Sequence, residues 1–414
     1  MLRIQRFVLQ AFCALLVLFV AVACNTTVEP APEPLTVTLQ LKDPAGISAP
    51  QYTKVKGLVT EVQTGNKIQL PETPSDANTF IVKVQPGKII VVLTAEVRYT
   101  TKGLEVRKVV KVNQTLDVTA TGTFDLQAVL DKYAPKGFVI EEVYYNPPLT
   151  PEGKTGNPGE QYIKITNNSD EVLYADSLAI VESHDNTSIK KEYTTNFMQQ
   201  YTLAKAVYMI PGNGKTHPVE PGKSVIIANN AQNHRQNNTN SVDLSGANFE
   251  VYDESPSPKH QDPDNVEVPN LDKYYASSKT FQVFNQQGNT ALLLIKMPKS
   301  KADYLAQNKV TVEFSITAPA TGEVIKKNSE QYMIPHSWVL DGVNLGIKDA
   351  VQWLFLPETI DAGFTGWQDT RSDKTSKGLA VRRKTIQEGE RTYLQDTNNS
   401  ANDFERRVSP SLKK

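Results

Sequence analysis

An all-β fold is what the sequence predicts, on three observations. Apolar and polar residues alternate with period two in short runs, as at Val37, Leu39 and Leu41; Gly, Pro and Asn punctuate those runs at regular spacing; and 39% apolar content over 414 residues is enough to fill cores. With 44 basic against 45 acidic side chains, the chain lacks the overall basic excess typical of nucleic-acid binders, and no nucleic-acid partner is expected. Two or three domains are expected for this length.

Residues 1–23 read as a secretory signal peptide, with Arg3 and Arg6 ahead of an almost unbroken apolar run from Phe7 to Ala23. The run ends in Ala21-Val22-Ala23-Cys24, small residues at the third and first places before a cysteine, which resembles a bacterial lipobox. Cys24 is then the expected lipidation site and the first residue of the mature chain. The alternatives are an ordinary signal with an incidental cysteine and an uncleaved anchor helix. Cys13 lies inside the apolar run, so neither cysteine is left for a disulfide or thiolate metal site in the mature domains. Residues 24–34, CNTTVEPAPEP, form a polar, proline-spaced tether. Cleavage leaves 42 basic against 45 acidic side chains, a net charge of −3. Acyl chains on Cys24 would hold the protein to a membrane, each buried methylene adding about 0.8 kcal/mol. No later segment reaches 18 uninterrupted apolar residues, so a second span is not expected.

From Leu35 the alternation continues through Val55, a break at Gly57, and Val59 to Val62. Thr64-Gly65-Asn66 marks a hairpin into Lys67–Leu70. Phe80–Val84, a Pro86-Gly87 turn, Ile89–Tyr99, Leu104–Val112 and Leu116–Thr121 complete a predicted β-sandwich over residues 35–132. Its pattern resembles the transthyretin-like, peptidase-regulatory-like modules that open many exported lipoproteins. A short linker falls at Tyr133–Gly137, and a second domain occupies 137–414.

The second domain carries a more specific resemblance. FVIEEVYYNPP, GEQYIKITNNSDEVLYADSLAI, PVEPGKSVIIANNA and NQQGNTALLLI follow one another in the order and spacing of a lamin-tail domain, which implies an immunoglobulin-type β-sandwich elaborated by long insertions. Lys164 stands where that family usually has Glu, and Ser177 where it usually has Gly. GLAVRRK and DTNNSANDFERR resemble the closing signature of exported lamin-tail proteins. Taken together, these features resemble an uncharacterised family of surface lipoproteins from Bacteroidota. Members are often encoded beside TonB-dependent outer-membrane receptors, which implies a receptor partner and a role in uptake or surface binding. Asn25, rather than an Asp, after the cysteine favours the outer membrane over inner-membrane retention; whether the protein faces outward or the periplasm stays open.

No catalytic constellation stands out. There is no Gly-x-Ser-x-Gly elbow, and Gly212-Asn213-Gly214-Lys215-Thr216 lacks the first glycine of a phosphate loop, Met209 standing in its place. The five histidines show no His-x-x-x-His spacing; His184-Asp185 and His260 with Asp262 and Asp264 are the pairs that could ligate a metal. Asp253, Glu254, Asp262, Asp264 and Asn265 are hard oxygen donors in the proline-stiffened segment Tyr252–Asn265, which makes calcium conceivable, against the plainer reading of a solvated acidic loop. Asp253, Asp262 and Asp264 are candidate ligand or partner contacts, as long loops on rigid sandwiches often bind.

Among the aromatics, Trp338 and Trp353 have apolar neighbours and read as core. Trp367, between Gly366 and Gln368-Asp369, is the fourth contact candidate. Tyr144-Tyr145 and Tyr274-Tyr275 are pairs of which period two exposes one member each. Asp176-Ser177-Leu178 resembles an O-glycosylation acceptor, and Arg382-Arg383-Lys384 reads as a solvated strand end. The expected function is that of a non-catalytic outer-membrane lipoprotein acting as a binding or accessory module. An extracellular hydrolase built from loop residues such as His336, Asp341 or Asp262, and a calcium-stabilised adhesin, are the other two readings.

Overall fold

Strict alternation builds the first core: Val37, Leu39 and Leu41 turn inward from one strand while the threonines and Gln40 between them do not. A computed structural model of the chain describes residues 32–44, 47, 49–75, 78–101, 104–130, 137–318, 321–388 and 391–413. Cys24, the signal and Tyr133–Lys136 lie outside the described residues. The chain divides into two compact units, Met1–Asp131 and Lys132–Lys414.

The first unit contains β1 (Leu35–Lys42), β2 (Gln51–Glu61), β3 (Lys67–Gln69), β4 (Thr79–Val84), β5 (Gly87–Thr101), β6 (Leu104–Val118), β7 (Gly122–Gln127) and β8 (Val129–Leu130). They form a three-stranded sheet, β4-β1-β7, and a five-stranded sheet, β3-β2-β5-β6-β8, whose apolar faces share one core. Two sequence expectations change here. Gly57 is not a break: it sits inside β2, where a Cβ would come within 2.7 Å of Leu70 Cδ1. The irregularity lies earlier, at a bulge between Thr53 and Lys56 with Lys54 at φ +52°, and it moves the inward face from Tyr52 to Val55 and Val59. Leu104–Val112 and Leu116–Thr121 are not two strands, because β6 pairs with β5 without interruption from Leu104 to Val118. The Pro86-Gly87 turn carries the chain from one sheet to the other rather than closing a hairpin.

In the second unit, β9 (Phe138–Tyr144), β10 (Tyr162–Asn167), β11 (Leu173–Tyr174), β12 (Leu178–Asn186), β13 (Glu192–Tyr193), β14 (Tyr201–Met209), β15 (Pro218–Val219), β16 (Ser224–Ala228), β17 (Phe249–Glu250) and β18 (Asp272–Ala276) are followed by β19 (Thr290–Lys296), the short helix Lys301–Gln307, β20 (Lys309–Thr317), β21 (Val324–Pro335), β22 (Val339–Asn344), β23 (Ala380–Arg383), β24 (Thr385–Glu388), β25 (Arg391–Leu394) and β26 (Phe404–Val408). A six-stranded sheet, β17-β16-β10-β9-β23-β26, meets an eight-stranded one, β13-β20-β21-β14-β12-β19-β22 with β18 also on β14. Ile140, Ile163, Ile180, Tyr208, Leu294 and Trp367 belong to the core shared by these sheets. A second apolar layer, including Val181, Leu293, Tyr304 and Trp353, covers the other face of the eight-stranded sheet. That two-sided burial explains the near-continuous apolar runs LAIV in β12 and ALLLI in β19, which an exposed face would interrupt.

The closing signature folds around one cation. Arg383 is 3% exposed and joins parts of the chain far apart in sequence. Its Nε donates to Ile140 O (2.8 Å), Nη1 to Gln395 O (3.0 Å) and Nη2 to Asp341 Oδ2 (2.6 Å). Asp396 and Asp403 stand 3.3 and 3.7 Å from Nη1, and the guanidinium lies over the Phe404 ring. Arg382 pairs with buried Glu142 at 2.6 Å, and Lys384 Nζ donates to Asn402 O. The basic triplet is therefore neither a solvated strand end nor a phosphate patch; two of its members face buried or half-buried carboxylates on their own scaffold. Replacing Arg383 with Leu leaves three buried carboxylates without their cation, so an Arg383→Leu variant should lose about 3–5 kcal/mol in urea denaturation.

Candidate functional site: the acidic loop and its surroundings

The Tyr252–Asn265 segment leaves β17 and is held down by carboxylates of its own. Asp253 is 2% exposed; its Oδ2 accepts from Tyr208 Oη (2.7 Å) and Gln282 N (3.0 Å), and its Oδ1 faces Lys273 Nζ at 3.0 Å. Asp262 Oδ2 accepts from Asp253 N at 2.9 Å, closing the loop on itself. Glu250, fully buried, accepts from Ala231 N and Asn265 N, and Asn270 Nδ2 donates to exposed Asp264. Asp253, Asp262, Asp264 and Glu250 thus each have a protein donor, while Glu254 is exposed. Asp253 is a buried brace and not a surface contact: a phenol, a backbone amide and an ammonium of the same unit hold its carboxylate out of solvent. Among the described residues, no group of three or more His, Cys, Asp or Glu side chains is placed to hold a metal ion.

Burial, with Asp253, Glu250 and Asp264 nearby, pushes the Asp262 carboxyl up to about 7, against the donation it receives from Asp253 N. The raised value means that between about pH 4 and 7 the unfolded chain has already released a proton the folded loop still holds. Stability then falls with rising pH across that window, and the loss is complete above it. Asp262→Asn keeps an acceptor for Asp253 N but cannot ionise, so its melting temperature should fall less than that of the natural protein between pH 4 and pH 7.

Trp367 is not a surface aromatic: it is fully buried, its Nε1 donates to Gln286 O at 3.1 Å, and it meets Tyr145 edge-on at 6.0 Å. Its glycine-rich setting reflects close packing, not solvent. A Cβ on Gly366 would fall 2.2 Å from Gly346 O, and one on Gly288, at φ +61°, would fall 2.5 Å from Trp367 Cζ2. Trp367→Ala should cost about 3–5 kcal/mol of stability by calorimetry or chemical denaturation, as for other emptied aromatic core sites. Gly288→Ala should destabilise as well, through both strain and overlap.

Other sequence candidates dissolve into scaffold. Gly212–Thr216 does cradle an anion, but an internal one: Gly214 N, Thr216 N and His217 N donate to the buried Asp176 carboxylate at 3.1, 2.9 and 2.8 Å. Burial alone would raise that carboxyl; the backbone donors at His217 and Thr216 outweigh it and hold it well below the usual range. A Cβ on Gly212 would strike Asp176, so the glycine is required by the carboxylate. Ser177 next to it has φ +62°, the left-handed backbone for which glycine is the usual choice. His184 and Asp185 do not act together: Asp185 pairs with Lys191 at 2.6 Å and accepts from Tyr193 Oη. His260 Nδ1 contacts Ser257 Oγ at 3.1 Å within one exposed turn. His336 Nε2 meets Thr202 Oγ1 at 2.9 Å, and burial lowers its value to about 4, whereas Asp341 is bound to Arg383.

Both Tyr144, the last residue of β9, and Tyr145, just beyond it, are buried in different apolar clusters, because a layer including Val242, Leu244 and Val268 covers the outer face of the six-stranded sheet. The pair Tyr274-Tyr275 behaves differently. A register shift between Val207 and Tyr208 leaves Tyr274 as an extra residue opposite β14, so both rings join the outer apolar layer of the eight-stranded sheet. Half-buried Tyr332 and Trp338 pack in that layer too, and the period of the sequence carried no sign of this grouping.

Among the described residues, no helix is long and apolar enough to cross a membrane. No curated protein matches the chain. A crystal structure of a DUF4876 family protein from Bacteroides thetaiotaomicron VPI-5482 matches with a TM-score of 0.63 and 22% identity, covering 92% of this chain and 97% of that one, and so shares its fold. A DUF3823 family protein from Parabacteroides merdae ATCC 43184 matches at a TM-score of 0.16 and 6% identity over 74% of this chain and 99% of that one, too distant to bear on the fold. Residues 220–411, from the turn before β16 to the C-terminal segment, match the family model described as Protein of unknown function (DUF4876).

Proposed function

We propose that the protein is a non-catalytic lipoprotein of the outer membrane, anchored through Cys24, that serves as a binding or accessory module beside a TonB-dependent receptor in nutrient uptake. In this reading the first unit is a regulatory-like sandwich and the second a lamin-tail-like, immunoglobulin-type sandwich. The observation that carries it is the use to which the charged groups are put. Asp176, Asp253, Asp341 and Arg383 are each bound to backbone or side-chain groups of the same unit. What is left facing solvent is a stiff β scaffold with long loops, a form suited to presenting surface. The signal and the Ala21-Val22-Ala23-Cys24 sequence supply the anchor.

The test is purification of the tagged full-length protein from native membranes in mild detergent, beside a Cys24→Ala variant. The natural protein should fractionate with outer membranes and bring down a barrel in near-stoichiometric amount, and the variant should lose membrane association. Recovery of the natural protein in the soluble fraction, or turnover by it in a panel of hydrolase substrates, would overturn the proposal.

A further inference from the structure

Buried and half-buried carboxylates of the second unit pair with lysines, and one pair differs from the others. In Lys164–Glu141, Lys191–Asp185 and Lys205–Glu182 the ammonium donates a hydrogen bond to its partner, at 2.8, 2.6 and 2.9 Å. Lys273 Nζ stands 3.0 Å from Asp253 Oδ1, yet that oxygen accepts no hydrogen bond among the described residues. The nitrogen lies against the carboxyl group, out of line for donation. Lys273 on β18 is the cross-strand partner of Tyr208 on β14, and Tyr208 Oη and Gln282 N donate to the other oxygen, Oδ2, at 2.7 and 3.0 Å. The Asp253 side chain is wholly screened from solvent, and that of Lys273 is 36% exposed.

An acid stands next to this pair. Asp262 Oδ2 accepts from Asp253 N at 2.9 Å, and its carboxyl, pushed up to about 7, still holds a proton in much of the population at neutral pH. Formation of an amide from an amine and a carboxyl group asks for four things: contact between the two, donors on the oxygen that takes up negative charge, an acid for the oxygen that leaves, and exclusion of water. All four meet at Asp253. Neither Lys191–Asp185 nor Lys205–Glu182 has a second carboxyl hydrogen-bonded to it among the described residues.

We propose that Lys273 and Asp253 condense into an intramolecular amide, a covalent bond between β18 of the eight-stranded sheet and the segment that leaves β17 of the six-stranded sheet. The ammonium gives up a proton, and the Nζ lone pair forms the new bond to Asp253 Cγ. Tyr208 Oη and Gln282 N hold the negative charge that develops on Oδ2. The Cγ–Oδ1 bond then breaks and Oδ1 leaves as water. Both hydrogens of that water come from the ammonium, whose third stays on the amide nitrogen; Asp262 relays one of them, giving its own proton to Oδ1 and taking one back from Nζ. Nothing is oxidised or reduced, and no co-reactant is consumed. The amide removes two charges from a setting where both are short of water, which relieves the desolvation the ion pair bears. Both cysteines lie in the first 24 residues, so this bond ties the two sheets where no disulfide is available to do so. It goes beyond the binding-module reading and does not depend on it.

The experiment is peptide mapping by tandem mass spectrometry of the full-length protein, purified in detergent and fully denatured before digestion so that an ion pair cannot survive. The expected result is a branched peptide joining Lys273 to Asp253, lighter by one water than the sum of its two arms, with Lys191 and Lys205 recovered in linear peptides. Lys273→Arg keeps a cation opposite Asp253 but has no amine to attack it, and should give linear peptides only, from a protein whose circular dichroism matches the natural one. Asp262→Asn keeps an acceptor for Asp253 N and removes the acid, and should be recovered mostly in linear form. Recovery of unmodified Lys273 and unmodified Asp253 in separate linear peptides of the natural protein overturns the proposal, and so does a branched peptide joined through any other pair. The map of the natural protein decides by itself if a variant fails to fold.

Discussion

The closure of the six-stranded sheet depends on a single buried cation. Arg383 satisfies Ile140 O from β9, Gln395 O from the segment after β25, and Asp341 from β22, and it has Asp396 and Asp403 within reach. Only a planar guanidinium has enough donors in fixed directions for that set; a lysine would reach one or two of these groups and leave the others dehydrated. Asp341 is held in turn by Ile140 N and Gly342 N, so the β9 and β22 backbones are joined through one carboxylate. The last turn of chain is built to the same purpose. Asn399 caps the short helix Ser400–Asp403, and Asp403 accepts from Thr397 N and Oγ1. GLAVRRK and DTNNSANDFERR, separated by eleven residues in sequence, are thus two halves of one electrostatic joint.

Much of the framework is legible in the sequence because alternation has a physical cause: one face of each outer strand meets a core and the other does not. Val37, Leu39 and Leu41 follow that rule, as do Val91, Leu93, Ala95 and Val97 in β5. Legibility fails where a second layer covers the other face. Tyr144 looks half-exposed by period and is buried, because the segment holding Val242 and Leu244 folds over it. It fails again at bulges. One extra residue at Lys54 changes the inward parity of β2, and one at Tyr274 puts two adjacent tyrosines on one side. No local property of Thr53-Lys54-Val55 or of Tyr274-Tyr275 announces the shift, which is imposed by the partner strand.

The site residues were less legible, for a related reason. Glycine beside polar residues reads as a solvent-exposed loop, yet Gly366, Gly288 and Gly212 are each required by something pressed against them: the Gly346 carbonyl, the Trp367 ring and the Asp176 carboxylate. Acidic residues beside prolines read as solvated, yet Asp253 lies under the loop with Tyr208 and Lys273 as partners. A hint was present in the company these residues keep. Trp367 follows two glycines and an aromatic, Gly363-Phe364-Thr365-Gly366, a spacing that suits backbone held close to backbone more than a free tip.

These buried pairs bear on where binding can occur. A charge that is already bound cannot easily recognise a ligand, since each partner it gives up reinstates the desolvation it was relieving. Asp176 would have to release three backbone N–H groups, and Asp253 a phenol, an amide and an ammonium. Recognition on such a scaffold falls to groups whose hydrogen-bonding capacity is unused in the folded chain, and to apolar faces not yet covered. At the junction of β18, β21 and the Lys301–Gln307 helix, Tyr275, Tyr332 and Trp338 are only half-buried, while Tyr304 between them is fully enclosed. The bulge at Tyr274 that hid this arrangement from the sequence is also what creates it, by adding a second tyrosine to a face that regular pairing would have supplied with one.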